Sequence, residues 1–137
     1  MKTEFTYEIF DREKSYEELL YTVSNWIAEL KFITIELNFL IKLIKSDPFN
    51  KVVPNLYERI QLFMLELEQF NLDKNTINDK IIDLKGRISE CQKLEKSKSS
   101  DNFHLVLYEN AAKIMSIYLQ DYKNLKAKIF EFVTHLI

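Results

Sequence analysis

Few side chains in this sequence are suited to chemistry. Its 137 residues hold two histidines and one cysteine, so a metal or nucleophile site would have to be assembled from His104, His135, Cys91 and carboxylates. Cys91 closes the second of three periodic stretches, His104 opens the third, and Glu17 and Glu18 begin the first. Antiparallel packing of the stretches would bring these groups to one end, where imidazole, thiolate and carboxylate are metal ligands by type. Histidine and cysteine at helix ends more often pack or face solvent, and no metal is expected here. His135 follows Glu131 by one turn near the end of a helix, where the dipole favours a cation.

Other constellations are missing. A di-iron bundle needs Glu-x-x-His pairs, and none occurs. There is no Gly-rich phosphate loop and no G-x-S-x-G nucleophile turn. Glu29 and Glu36 stand two turns apart on one flank of a helix, a spacing that suits ion pairs to a neighbouring helix, which set register and partner choice. Catalytic carboxylates would need a cleft, and nothing in the pattern predicts one. The tyrosines and phenylalanines fall mostly on core spacing, as packing does, and not as a base-stacking platform. A protein that is not an enzyme and has no cofactor is the expectation.

The elements that must position these residues follow from composition. One Gly and two Pro leave little material for turns, so the chain has to be built from long uninterrupted helices. Hydrophobic residues make up 47% and charged residues 29%, too apolar for a disordered chain, and the length suits one domain. The net charge is -2, with both signs mixed along the chain. A nucleic-acid binder would show a larger basic stripe than Lys93, Lys96 and Lys98, so no nucleic acid is expected as a partner. The single cysteine fits a reducing compartment, and MKTEFTYEIFDREK has no apolar signal core; the expected location is the cytoplasm. Residues 26–44 are the most apolar stretch, but Glu29, Lys31, Glu36 and Lys42 interrupt it. Charges at the centre of a spanning helix cost roughly 2.5 to 3.5 kcal/mol each, so no membrane span is expected.

Ser15 with Glu18 three residues later is a capping box, and the first helix is expected over 15–46 after an N-terminal arm of residues 1–14. Its seam is Leu19, Val23, Trp26, Leu30, Ile33, Leu37, Leu40 and Ile44, an alternating three-four spacing that Ser46, Asp47 and Pro48 stop. The second helix is expected over 54–95, with Pro54 at its first position and a seam from Leu56 to Cys91. NLDKNTIND, residues 71–79, is poor in helix formers, but the seam crosses it unshifted with Lys74 as its only polar member. The third helix is expected over 101–137, capped by Ser100 or Asp101 and carrying Tyr108, Ala111, Met115, Tyr118, Tyr122, Leu125, Ile129, Phe132 and Leu136. Similar lengths of about 50 to 60 Å and short connections predict an all-α, up-down-up antiparallel bundle, coiled-coil-like and open to completion by oligomerisation. A four-helix bundle with a break near Asn71–Asn75 is the alternative.

NWIAELKFITIELNFLIKLI, residues 25–44, carries a second stripe. Ala28, Phe32, Ile35 and Phe39 recur at four, three and four, away from the main seam. The second helix adds Leu62, Met64, Leu65 and Leu72 in the half that antiparallel pairing sets beside them. One reading has the arm fold back and cover this face with Phe5, Tyr7, Ile9 or Phe10. The other, which we prefer, makes Ala28, Phe32, Ile35, Phe39, Leu62, Leu65 and Leu72 an interface for a partner helix or a second copy, with a homodimer as the default. Leu105, Val106, Leu107, Ala112, Ile114, Ile117 and Leu119 broaden the apolar face of the third helix in the same spirit.

WIAELKFITIELNFL resembles a group of small helical proteins from Bacteroidota in which a W-x-x-E-L-x-F-x-x-x-E helix is followed by two more long helices. The matching positions are Trp26, Glu29, Leu30, Phe32 and Glu36, over about 15 residues of the first helix. The resemblance implies an all-helical fold and carries over no catalytic or ligand residues. The function expected is helix-on-helix contact, as a homo-oligomer or an adaptor; the alternative is a metal- or ligand-binding bundle with its site near Cys91 and His104.

Overall fold

A computed structural model describes residues 15–46, 54–94 and 103–136. They form three helices: α1, Tyr16–Ile44; α2, Pro54–Lys93; and α3, Phe103–Leu136. The architecture is the expected all-α three-helix bundle, with α2 packed against both α1 and α3. The arm 1–14, both connections and the caps at Ser100 or Asp101 lie outside the described residues.

The start of α1 is built as its sequence dictates. Ser15 Oγ accepts from the Glu18 amide at 3.2 Å, and Glu18 Oε1 accepts from the Ser15 amide at 3.0 Å. These two bonds satisfy amides that have no partner within the helix. At the other end Ile44 is the last helical residue, and Lys45 donates its amide to the Ile41 carbonyl at 3.1 Å. The helix is 29 residues long, against 40 for α2 and 34 for α3. At 1.5 Å per residue these lengths are about 43, 60 and 51 Å, so α1 is shorter than expected.

Helix α2 runs unbroken through residues 71–79, which removes the four-helix alternative. The reason is visible in its partners. Phe70 packs against the rings of both Tyr118 and Tyr122, at 5.4 and 5.9 Å, and Ile77 and Ile81 are buried on the same seam. Exposed Gln69 and Asp73 add a bond along the helix at 2.9 Å. Tertiary burial outweighs a local propensity deficit of a few tenths of a kcal/mol per residue. Lys74 is itself buried in the seam, where its four-carbon stem substitutes for an aliphatic residue.

The predicted seams are the core. Every α1 seam residue is buried except Trp26, which is half-buried and stacks on Tyr108 at 5.4 Å between centroids. Leu67, Ile88, Met115 and Ile129 are fully enclosed. One residue had been set on the wrong face: Met64, grouped with the second stripe in the sequence, is buried. It follows Phe63 directly and turns toward the α1 end, where Ile44 and Ile60 line the same shallow pocket.

Candidate functional site

The acidic flank of α1 divides into two fates. Glu29 is exposed, whereas Glu36, two turns later, is half-buried and faces α3. Its Oε1 accepts from the Tyr122 hydroxyl at 2.8 Å, and Lys126 Nζ reaches both of its oxygens at 3.0 and 3.1 Å. The α1 and α3 backbones approach less closely than either approaches α2, and these long side chains bridge the gap, as Trp26 and Tyr108 do nearer the other end. Burial, and then the Glu36 carboxylate that its hydroxyl bonds, push the Tyr122 phenol far above its ordinary range. Burial, with a smaller contribution from the charge of Asp73, does the same to Tyr118. Tyr118 donates to the Phe70 carbonyl at 2.9 Å. Both phenols therefore stay protonated and serve as hydrogen-bond donors across the bundle. This polar centre ties helices together.

The groups gathered at the other end meet only in part. Cys91 Sγ lies 3.7 Å from His104 Nδ1, and the Tyr16 ring lies 5.5 Å from the His104 ring. His104 is buried, which its position at the head of α3 did not reveal; the α2 end and the first turn of α1 close over it. Glu18 is engaged in the capping box and Glu17 is exposed. Among the described residues no group of three or more His, Cys, Asp or Glu side chains gathers to hold a metal. His135 sits at the end of α3 with Nδ1 2.8 Å from the Glu131 carbonyl.

The second stripe is solvent-facing except at Met64. Phe32, Ile35 and Phe39 are 58, 67 and 58% exposed, and Leu62, Leu65 and Leu72 are 59, 62 and 59% exposed; Ala28 is exposed too. At 100° per residue each set points almost directly away from the seam of its own helix. Ile44 and Lys45 lie beside Tyr57 and Ile60, a register that brings Phe39 level with Leu65 and Phe32 level with Leu72. The two sets thus lie at one height along the bundle, each on the outward face of its own helix. On α3, Val106 and Ile117 are exposed, while Leu105, Leu107, Ala112, Ile114 and Leu119 are half-buried. Among the described residues no helix is long and apolar enough to cross a membrane.

Compared with family models, with curated proteins and with solved structures, the chain matches none.

Proposed function

We propose that this protein acts through helix-on-helix contact made by the outer ridges of α1 and α2, as a homo-oligomer whose default form is a twofold dimer, and that it performs no catalysis. The observation that supports this reading is the set of six large apolar side chains more than half exposed at one height of the bundle. Soluble monomers rarely leave apolar surface beyond a few hundred Å² in water, and each outward ridge offers the knobs that a facing helix needs. Closed twofold symmetry uses the same ridges on both copies and leaves none unmatched.

Light scattering over a range of concentrations tests the reading. A dimer that Phe32→Glu with Phe39→Glu converts to monomers of unchanged helicity is the expected result. A wild-type monomer at every concentration would remove self-association and leave either cover by residues 1–14 or a different protein as partner.

A second reading, a metal- or ligand-binding bundle, draws on the approach of Cys91 to His104. Metal analysis of the wild type and of Cys91→Ala, His104→Ala decides it: equal metal content and equal stability would set this reading aside.

A further inference from the structure

On the other side of the bundle, α2 and α3 enclose a groove of about 500 Å³ that neither the ridges nor the polar centre uses. Its floor is Ile77, Ile81 and Leu84 from α2 with Leu107, Ala111 and Ile114 from α3, and its rim is Lys80, Asp83, Asn110 and Lys113. The rim is not electrically even. Arg87 Nε holds Asp83 Oδ2 at 3.0 Å, so the one acidic group is already answered. Lys80 and Lys113 make no ion pair or hydrogen bond among the described residues. The contacts of Phe70 with Tyr118 and of Cys91 with His104 set an antiparallel register in which Lys80 and Lys113 come level across the groove. Leu84 and Leu107 lie together farther toward the Cys91 end.

The groove therefore has two unanswered cations at one level and aliphatic side chains beyond them. A volume of about 500 Å³ is ample for an alkyl chain. Size and lining match those of small-molecule sites, which are mostly apolar with a few placed polar groups.

We propose that this groove binds a medium-chain aliphatic carboxylate, its head group between Lys80 and Lys113 and its chain along Ile81, Leu84 and Leu107. The proposal is independent of the ridges, and variants of one surface leave the other intact.

Calorimetric titration of the full chain with decanoate, below its micelle concentration, tests it against decanol and decyltrimethylammonium. Expected are saturable binding of one decanoate per chain, weaker binding of decanol and none of the cation. Lys80→Glu with Lys113→Glu should weaken decanoate at least tenfold and leave decanol unchanged, and Ala111→Phe should block both by filling the floor. Circular dichroism establishes that each variant is folded, and Lys80→Gln with Lys113→Gln repeats the test without charge reversal. Non-saturable uptake, equal affinity for the cationic amphiphile, or decanoate binding indifferent to both lysine pairs would overturn the proposal. So would a flat decanoate titration alongside saturable binding of an acidic amphipathic helical peptide, which would make the groove a helix-docking surface.

Discussion

Two faces of α1 carry the same kinds of residue at the same spacing and meet opposite environments. Leu30, Ile33, Leu37 and Leu40 are buried, with Leu37 and Leu40 at 0% exposure, whereas Phe32, Ile35 and Phe39 are more than half exposed. Rotation about the helix axis, and not hydrophobicity, separates the two. Neighbouring residues make the point more sharply: Ile35 faces solvent while Glu36, the next in sequence, turns inward to hold Tyr122 and Lys126. The fold of the described residues leaves this Phe-rich outer face uncovered.

The largest expected effect breaks this comparison at its core side. Leu37→Ala should cost about 3 kcal/mol in urea unfolding, the usual loss for a fully enclosed leucine, while Ile35→Ala in a chain held monomeric should stay within about 0.5 kcal/mol. A similar cost at both positions would show that Ile35 is structural. Next comes Glu36→Ala, which should destabilise by about 1 to 2 kcal/mol, because it leaves the Tyr122 hydroxyl without its acceptor and Lys126 without its partner. Glu29→Ala, on the exposed part of the same flank, should change stability little, and a denaturation midpoint shared by the two variants would sink the distinction.

Gly86 sharpens the solvent-facing side. It is an exposed helical position where an added Cβ meets nothing within 4 Å, so Gly86→Ala should stabilise by about 1 kcal/mol through helix propensity alone. A thermal midpoint that falls would mean that another surface closes on this position.

The smallest effect is expected at alkaline pH. Burial raises the phenol pKa values of Tyr118 and Tyr122 above the ordinary value of about 10, so above about pH 10 the unfolded chain loses protons that the folded chain keeps. Their contribution to stability is complete below that pH and declines as pH rises past it. Tyr118→Phe with Tyr122→Phe should flatten the decline of stability between about pH 10 and 11, and an unchanged slope would contradict the buried-phenol account.

The seams were legible because a bundle needs one period sustained over many turns, and Leu19 to Ile44, Leu56 to Cys91 and Tyr108 to Phe132 keep it without a shift. The Ser15–Glu18 cap was legible because its chemistry is local. Met64 and His104 were not. Met64 lies just beside a seam position, where burial depends on how far a neighbouring helix wraps around it; His104 continues the α3 seam four residues before Tyr108, but its residue type and its place at a helix start pointed away from the core. Leu107 and Ile114 were legible only as surplus apolar residues on α3 and Ala111 only as a seam residue, and the groove they line with α2 was invisible, since it depends on two helices in register and on a third that leaves one side open.

By itself, the sequence determined the helices, their order and the faces they would bury, because backbone periodicity and the scarcity of glycine and proline act along the chain. Only the tertiary structure decided that Glu36 rather than Glu29 turns inward, and that Lys80 comes level with Lys113. Those outcomes rest on distances between residues remote in sequence, which packing sets and local propensity does not encode.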